Sequence, residues 1–423
     1  MKKLNTSPIS GTQELLPAEQ ATFDQLKATV QDVFHRHGFM NIETPMLERQ
    51  EILLAKAGGD TEKQIYKVFK TAESADEATE ALRFDHTVPL ARYVVQHEQD
   101  LAFPFKVAQT GENFRGERAQ KGRFREFYQC DVDVIGRGEL SLFYDYDVVA
   151  TLLDTYRRFG LSTPVLARLS HRKIMTGLLE ALHLEDKSRE IFSIIDHAEK
   201  VPQEKTVSAL ESLNLSSSEI AKLTAFINLH GSRKKVILNL RALNLASDTF
   251  RAGVDELDVA MSLLEQDGYE DAIEADMKII RGLDYYTGLV FEFILPEHRD
   301  IGSIGGGGRY DNLTAYFAEQ PFPGVGGSIG LNRLYYVLRE RGLIATSAAK
   351  PLDLAVVPVT NAELPYAMKV ASDLRNSGLS VTIVATEKKL PAKLAYAANL
   401  AAKGIVLGES EVASGSYEIK EFH

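Results

Sequence analysis

A long block in the middle of this chain contains helical patterns and no strand pattern. From 171 to about 272, apolar residues recur at helical spacing in consecutive segments, and Ser216-Ser217-Ser218-Glu219 has the spacing of a capping box. Strand-like alternation precedes this block and resumes after it, at 289–294. This order is typical of a helical domain inserted into a larger domain that contains a sheet. Helices are predicted at 174–182, 187–198, 205–213, 220–229, 236–243 and 249–264.

The two ends of the chain carry different patterns. A helix is predicted from about Pro17 to His37, and an extended segment follows at 39–43, which Pro45 helps to keep out of the helical region. Near the other end, alternating strand and helix patterns predict a compact α/β domain with parallel strands. We therefore expect one domain formed by 1–171 and 273–341, a helical insertion at 172–272, a linker at 342–350 and the α/β domain at 351–423.

Charge and cysteine content exclude several classes of protein. The 423 residues include 48 Lys and Arg against 59 Asp and Glu, a net charge of −11, which argues against a protein that coats DNA. Nucleic acid bound at a local basic patch stays possible. Cys130 is the one cysteine, so an internal disulfide is excluded and a reducing compartment is favoured. No apolar run is long enough to cross a membrane. The sequence thus predicts a cytoplasmic protein of several domains.

The densest positive charge lies in one short segment, Arg115-Gly116-Glu117-Arg118-Ala119-Gln120-Lys121-Gly122-Arg123-Phe124-Arg125. Its two glycines favour a hairpin loop over a helix. Guanidinium groups suit phosphate because they can bind two of its oxygens at once. We interpret this loop as a polyanion site held by the apolar strands beside it, and a solvated basic turn is the alternative.

Two further segments combine polar residues with glycine. The segment Arg281-Gly282-Leu283-Asp284-Tyr285-Tyr286-Thr287-Gly288 places an arginine, a carboxylate and two tyrosines before a strand, and a turn with core tyrosines is the alternative. The glycines of 302–308 and 324–330 remove side chains, so that a ligand or a neighbouring backbone can approach closely. Neither segment has the spacing of a P-loop or of a dinucleotide fingerprint.

Strand and turn patterns dominate the region before the helical block. Residues 127–135 alternate apolar and polar, which predicts a strand with one face in water. Prolines and glycines between 82 and 136 predict short strands and turns around it. The ten histidines show no metal-ligand spacing, which favours structural or exposed positions for all of them.

These pieces, in this order, resemble the class II aminoacyl-tRNA synthetases, and specifically the histidyl-tRNA synthetase family, over nearly the whole chain. Residues 39–48, 114–127 and 326–333 resemble the three class motifs. The narrower similarity is that of 281–288 to the histidine-specific signature, joined to Leu82-Arg83-Phe84-Asp85-His86-Thr87. The resemblance implies an α+β fold, in which an antiparallel sheet flanked by helices performs catalysis. It also implies that the helical insertion contacts the acceptor stem of tRNA and that the C-terminal α/β domain binds the anticodon.

The resemblance further implies the reaction. Histidine and ATP form histidyl-adenylate and pyrophosphate, and the histidyl group is then transferred to the 3′ end of tRNA(His). Arg115 and Arg281 would hold the α-phosphate from opposite sides, and Arg333 the γ-phosphate. Glu117 and Phe127 would hold the adenine by hydrogen bonding and stacking. Mg²⁺ is expected on the pyrophosphate oxygens, because ATP phosphates and water supply most of its ligands, and no protein ligand is assigned to it.

The residues for the amino acid follow from the same resemblance. Asp85, Thr87 and Gln129 match the family positions that accept hydrogen bonds from the α-ammonium group. Asp133 and Tyr286 match those that bind the imidazole ring, which needs a polar group on each side because it has one donor and one acceptor nitrogen.

Three other expectations concern the rim of the site and its partners. Tyr285 would close the histidine pocket. Arg118, Gln120 and Arg123 would contact the acceptor end of tRNA, with Gln120 as the candidate for a base contact. The first class motif would form the interface of a homodimer.

Departures from the family pattern and several alternatives accompany this interpretation. Asn332 stands where the family usually has an acid, which puts a supporting contact in doubt.

The main alternative is the regulatory subunit of ATP phosphoribosyltransferase, a non-catalytic paralogue, and the complete 281–288 segment and the 352–407 region count against it. A class IIa synthetase for proline, threonine or glycine is disfavoured by Asp133 and Tyr286. An acidic RNA-binding scaffold would leave the paired arginines and tyrosines without a purpose.

Overall fold

The structure is a computed structural model that describes residues 4–55, 62–72, 74–118, 120, 122–199, 201–280, 286–344 and 350–422. Two compact units account for the chain, namely Met1–Gln13 with Lys27–Ile344, and Glu14–Leu26 with Ala345–His423. These units are defined by compactness alone, so the functional domain boundaries given above stay predictions.

Strands of the larger unit form a nine-stranded sheet and a three-stranded sheet. The described strands are β1 (Met40–Asn41), β2 (Leu47–Arg49), β3 (Lys67–Val68), β4 (Glu80–Leu82), β5 (Phe105–Phe114), β6 (Glu126–Ile135), β7 (Leu166–His171), β8 (His230–Gly231), β9 (Ile273–Asp276), β10 (Leu289–Ile294), β11 (Gly305–Tyr310), β12 (Gly324–Gly330), β13 (Leu352–Pro358), β14 (Val381–Ile383), β15 (Ala401–Leu407) and β16 (Lys420–Glu421). The large sheet has the order β1-β5-β6-β12-β11-β10-β7-β9-β8, and the small one β2-β4-β3. In the large sheet, β1 with β5 and β7 with β9 are parallel, and the other pairs are antiparallel.

Helices surround these strands and form the central block. The described helices are α1 (Pro17–Arg36), α2 (Gln50–Leu54), α3 (Thr87–Gln96), α4 (Phe143–Arg158), α5 (Arg172–Leu182), α6 (Ser188–His197), α7 (Gln203–Glu211), α8 (Ser217–Ile227), α9 (Arg233–Ala242), α10 (Asp248–Gln266), α11 (Leu331–Glu340), α12 (Leu364–Asn376), α13 (Leu390–Leu400) and α14 (Glu409–Ser414). Within the described residues, every helix is too short or too polar to cross a lipid bilayer.

The central block contains the six predicted helices, α5 to α10. The predicted capping box is confirmed, because the Glu219 backbone N–H donates to Ser216 Oγ at 3.3 Å and the Ser216 N–H donates back to Glu219 Oε2 at 2.6 Å. The block is not wholly helical, since His230 and Gly231 form β8 and pair with β9. Two residues are too few to produce an alternating pattern in a sequence.

One helix is missing from the sequence-based description of 82–136. Pro89 predicts a turn, yet it is the third residue of α3. The first N–H groups of a helix have no acceptor within it, so a proline there breaks no hydrogen bond. Asp85 Oδ1 accepts the Val88 N–H at 3.0 Å and so helps to start this helix.

The predicted hairpin loop at 115–125 is confirmed. It joins β5 and β6, which pair along their whole length from Phe105 opposite Ile135 to Phe114 opposite Glu126. Two ten-residue strands therefore hold the base of the basic loop.

One face of the nine-stranded sheet is apolar. Val132, Leu169 and Phe291 are fully buried on it. A Cβ on Gly327 would lie 2.6 Å from Cδ1 of Leu152, so this glycine lets α4 pack directly on the strands.

The opposite face is polar and also buried, which corrects the predicted strand with one face in water. Asp131 and Asp133 of β6 are each only 4% exposed. They contact His86 and Tyr310, which come from distant parts of the chain. Alternation along a strand indicates two faces, but it does not tell what covers the polar one.

A row of directly opposed residues crosses this polar face. It runs from Asp131 in β6 through Ser328 in β12, Gly306 in β11 and Glu292 in β10 to Arg168 in β7. Directly opposed residues of neighbouring strands point to the same side of a sheet. The row therefore joins two groups of charged side chains with a glycine between them.

Arg168 is saturated by carboxylates at its end of the row. Its Nε donates to Asp276 Oδ2 at 3.0 Å, and its Nη1 donates to Glu292 Oε1 at 2.8 Å. Glu199, which follows α6, accepts hydrogen bonds from both Nη1 and Nη2. This cluster connects the helical block to the sheet.

The C-terminal unit contains a four-stranded sheet with the order β14-β13-β15-β16. As predicted, β13 is parallel to both β14 and β15. Its core includes Val356, Ala371 and Ile405, all fully buried between the strands and α12. The sequence pattern does not predict α14 or β16, which adds an antiparallel edge to β15.

Candidate active site

A cavity of about 570 Å³ opens on the polar face of the nine-stranded sheet. Strands β6, β11 and β12 and the β5–β6 loop contribute residues to its wall. The structure brings together side chains that are far apart in the sequence, and the predicted site residues that line the cavity are Asp85, Thr87, Arg115, Glu117, Arg123, Phe127, Gln129, Asp133, Tyr286 and Arg333.

Arg115 is held rigidly in the wall of this cavity. Its Cζ lies 4.4 Å from the ring centroid of Phe84 and 5.0 Å from that of Phe127. Its Nε donates to the Phe84 carbonyl oxygen at 3.2 Å. Burial lowers the pKa of Arg115, and the negative charge of Asp85 opposes that effect. A fixed and partly desolvated cation of this kind attracts an anion more strongly than the same group would in water.

The carboxylates of Asp85 and Asp131 form an anionic corner beside α3. Burial raises the pKa of Asp85, and the like charge of Asp131 adds to the rise. Asp131 Oδ2 lies 2.9 Å from Nδ1 of His86, which is itself buried. His86 stands between Asp85 and Thr87 in the chain, so the corner is built from two segments that contact each other directly.

Asp133 is the third carboxylate that faces the cavity. Tyr310 donates its hydroxyl hydrogen to Asp133 Oδ1 at 2.6 Å. Burial raises the pKa of Asp133 to about 8, and the charges of Asp131 and Asp85 act in the same direction. A Cβ on Gly326 would lie 1.9 Å from Asp133 Oδ1, so only glycine leaves room for this carboxyl. Asp133 thus holds a proton near neutral pH, and it can donate a hydrogen bond or, once ionised, accept one.

Gln129 is fixed by hydrogen bonds on both sides of its strand. Its Nε2 donates to Ser328 Oγ at 2.7 Å, and its Oε1 accepts from Asn113 Nδ2 at 2.9 Å. Arg115 Nη2 also lies 3.5 Å from that Oε1. The amide is therefore oriented before any ligand arrives.

The other end of the cavity carries more positive charge. Glu117 Oε2 lies 3.6 Å from Arg123 Nη1, and the Glu117 carbonyl oxygen accepts from Arg125 Nε at 3.0 Å. Arg333 Nη2 donates to the carbonyl oxygen of Ile301 at 2.5 Å. These contacts shape the basic loop and orient the guanidinium of Arg333.

Asn332, which stands where the family usually has an acid, contacts the wall of the cavity. Its Oδ1 accepts the backbone N–H of Tyr128, a residue of the cavity wall, at 2.6 Å. In this chain an amide oxygen is therefore the acceptor for that backbone N–H.

The remaining predicted residues lie elsewhere. Arg118 and Gln120 are exposed and do not line the cavity, whereas Arg123 does. Arg281 and Tyr285 lie outside the described residues, and their roles stay predictions.

Five polar residues of the cavity wall were not predicted from the sequence, namely Tyr128, Asp131, Ser303, Tyr310 and Ser328. Asp131 had a signal, because it lies two residues from both Gln129 and Asp133 and strand periodicity puts the three on one face. Ser328 and Tyr310 lie within or at the end of glycine-rich strands, where the pattern indicated close approach but not which side chains the approach would serve.

Among the described residues, no group of three His, Cys, Asp or Glu side chains is placed to hold a metal ion. What the cavity offers instead is an anionic corner beside a fixed guanidinium. That arrangement suits a ligand pair in which an ammonium group lies close to a phosphate.

Comparison with known proteins shows the family of this chain. Residues 11–334 match the family model described as histidyl-tRNA synthetase, and residues 353–423 match an anticodon-binding domain. The histidine–tRNA ligase of Clostridium tetani is 40% identical over 99% of this chain and 95% of its own length. That of Clostridium acetobutylicum is 39% identical over 99% and 96%.

Solved structures show the same fold. The histidyl-tRNA synthetase of Nostoc sp. PCC 7120 superposes with a TM-score of 0.88 at 34% identity, over 99% of this chain and 95% of that one. A Bacillus halodurans protein described as an ATP phosphoribosyltransferase regulatory subunit/histidyl-tRNA synthetase has a TM-score of 0.78 at 24% identity, over 93% and 97%. The second likeness concerns the fold alone.

Proposed function

Because this chain belongs to the histidyl-tRNA synthetase family, we propose that its cavity binds histidine and ATP side by side and joins them as histidyl-adenylate. The chain is a histidine–tRNA ligase, and the named relatives favour this over the regulatory-subunit alternative. The observation that supports this use of the cavity is the juxtaposition of the rigid Arg115 with the carboxylates of Asp85, Asp131 and Asp133.

Activation requires the carboxylate of histidine to attack the α-phosphorus of ATP while pyrophosphate leaves in line. That carboxylate is already ionised near neutral pH, so no general base is needed. Catalysis then depends on positioning and on neutralising the charge of the phosphorus centre. Arg115 is placed to hold the α-phosphate from one side. By family resemblance Arg281 holds it from the other.

Recognition of histidine uses the carboxylate side of the cavity. Asp85, Thr87 and Gln129 surround the α-ammonium group. Asp133 and Tyr286 bind the two nitrogens of the imidazole ring, and Asp133 can serve either nitrogen because its pKa of about 8 lets it donate or accept. Apolar amino acids would leave these buried polar groups unpaired.

ATP occupies the basic side of the cavity in this proposal. Phe127 stacks on the adenine and Glu117 accepts a hydrogen bond from it, while Arg333 binds the γ-phosphate. Mg²⁺ would be held through phosphate oxygens and water, where it would offset the charge of the phosphates.

The tRNA meets the chain at several places. Arg118 and Gln120 are exposed on the β5–β6 loop, as residues that contact the acceptor end must be, and Arg123 lies between that surface and the cavity. We assign the helical block at 172–272 to the acceptor stem and residues 351–423 to the anticodon. Since charged tRNA is used in translation, the cytoplasm is the proposed site of the reaction.

A homodimer formed through residues 39–48 completes the proposal. Strand β1 lies at the edge of the nine-stranded sheet, and its Met40 is 53% exposed. Leu47 of β2 is 48% exposed. Exposed apolar residues beside an edge strand are suited to burial against a second copy.

The experiment that tests the site is amino-acid-dependent exchange of pyrophosphate into ATP. Wild-type protein should exchange with histidine and not with proline, threonine or glycine. Arg115→Ala should lower the histidine-dependent rate about 100-fold or more, because it removes a charge that acts on the reacting phosphate. Arg281→Ala should have an effect of similar size.

Arg118→Ala is the matched control, since this arginine lies on the same loop but does not line the cavity. It should leave exchange within about twofold of wild type and raise KM for tRNA, as expected of a phosphate contact outside the cavity. Equal losses of exchange in Arg115→Ala and Arg118→Ala would contradict the placement of the α-phosphate, and loss of histidine-dependent exchange in the wild type with ATP still bound would favour a regulatory protein.

A further inference from the structure

One oxygen of Asp131 has no hydrogen-bond partner in the part of the chain that the structure describes. This residue is 4% exposed and lines the cavity. Its Oδ2 is occupied by the Nδ1 of His86 at 2.9 Å, whereas Oδ1 has no partner. A buried acceptor without a partner costs stability, and the cost is greater for a charged group.

The surroundings of Asp131 make that cost larger still. Its carboxylate raises the pKa of Asp85 and of Asp133, in addition to the larger effect of burial on each. The three carboxyl groups around this cavity therefore cannot all be ionised without repelling each other. A ligand with a positive charge and N–H donors would remove both the repulsion and the unmet hydrogen bond.

Two other acceptor atoms of this corner already accept a hydrogen bond from the protein. Gln129 Oε1 accepts from Asn113 Nδ2 at 2.9 Å, and Asp85 Oδ1 accepts the Val88 N–H at 3.0 Å. An ammonium group brings three N–H donors and needs acceptors for them. Asp131 Oδ1 is a buried acceptor of this corner to which no described residue donates, so it can share the ammonium group with Asp85, Thr87 and Gln129.

We propose that Asp131 is a further substrate-binding residue, whose Oδ1 accepts a hydrogen bond from the α-ammonium group of histidine. The inference rests on the proposed use of the cavity. We assign the ammonium group of histidine, and not its imidazole ring, to Asp131. Asp131 contacts His86, which lies between Asp85 and Thr87 in the chain, whereas Asp133 contacts Tyr310. A metal ion is not the proposed ligand, since no three-donor group exists among the described residues.

The test compares two ligands that differ only in the group in question. Histidine has the ring, the carboxylate and the ammonium, and 3-(imidazol-4-yl)propionate lacks the ammonium. Titration calorimetry with Asp131→Asn should show histidine binding weakened roughly 10- to 100-fold, the range for a hydrogen bond to a charged group. Binding of the deaminated analogue should be unchanged or tighter, because a repulsive charge has been removed.

Asp133→Asn is the matched control on the same strand. It should weaken both ligands alike, because both have the ring. Asp131→Ser provides a second variant without the carboxylate and should show the same selective loss as Asp131→Asn.

Two results would overturn the inference. Equal weakening of both ligands by the Asp131 variants would mean that the residue only supports the cavity through His86, and unchanged histidine affinity would remove it from the site. A wild-type protein that binds neither ligand would overturn the proposed use of the cavity as well, which separates the two failures.

Discussion

Two groups of buried charged side chains lie on the polar face of the nine-stranded sheet. They differ in whether the protein itself satisfies their hydrogen-bonding groups. At one end of the row, Asp131 retains an acceptor oxygen with no partner within the described residues, and the neighbouring carboxyl of Asp133 has a pKa raised to about 8. At the other end, all three guanidinium nitrogens of Arg168 donate to carboxylates. Gly306 lies between them and contributes no side chain.

This difference indicates that the Arg168 group stabilises the fold and that the cavity group binds a ligand. Burial alone would lower the pKa of Arg168, but its hydrogen bonds to Glu199 and Asp276 raise it overall, so the folded state favours this ion. In the cavity, the folded state disfavours the ions of Asp85 and Asp133. A saturated cluster stabilises the fold, whereas an unsaturated one has capacity left for a ligand.

The strongest test of this contrast is Arg168→Met. The variant leaves Asp276 and Glu292 without the guanidinium that they share, and removing one partner of a buried ion pair costs about 3–5 kcal/mol of unfolding free energy. Urea denaturation measures the loss. Arg241→Met is the control, because Arg241 also binds two carboxylates but its side chain is 54% exposed, so its loss should stay below about 1 kcal/mol. Equal losses would mean that burial does not distinguish the Arg168 cluster.

Asp133→Asn should raise the free energy of unfolding, whereas Arg168→Met should lower it. The pKa of Asp133 is raised from 3.8 to about 8 in the folded protein, so wild-type stability falls as the pH rises between these values and then levels off. Asparagine does not titrate, and the variant should gain stability over wild type on the order of a few kcal/mol by pH 8.5. Thermal unfolding at pH 5.5 and 8.5 without ligand gives the comparison. A stability difference that does not grow with pH would contradict the raised pKa.

The smallest effect is expected for Glu199→Gln. Burial raises the pKa of Glu199, but the hydrogen bond from Arg168 lowers it overall from 4.5, so its contribution is present above that pH and is lost as the pH falls. Because the Glu199 side chain is 45% exposed, the loss at pH 7 should be below about 1 kcal/mol. The difference in melting temperature between the two proteins should shrink as the pH falls below 4.5, and a constant difference would show that the charge is irrelevant.

The two groups also differ in how far the sequence could predict them. Most of the predicted cavity residues lie in short sequence motifs. Strand periodicity could also have predicted Asp131 as a site residue, because it lies on the same face of its strand as Gln129 and Asp133. Arg168 had no such signal, because its partners lie in three segments that only the fold brings together. The role of Arg281 rests on resemblance alone.

Patterns of secondary structure show the same limit. Long periodic helices, such as α10, and the parallel strands of the C-terminal unit were predictable from local pattern. The start of α3 was not predictable, because the proline in its first turn is also a turn signal. The strand β8 was not predictable either, because two residues are too few to show a pattern.

The amide of Asn332 gives the two halves of the cavity different responses to acid. The hydrogen bond that it accepts from the Tyr128 backbone involves no titrating group, so it persists when the medium acidifies. Binding of an ammonium ion, in contrast, needs ionised carboxylates. Because the pKa of Asp85 is raised, this carboxylate takes up a proton at a higher pH than an exposed aspartate would. A falling pH should therefore reduce the enzyme's saturation with its amino acid before it disturbs the nucleotide side.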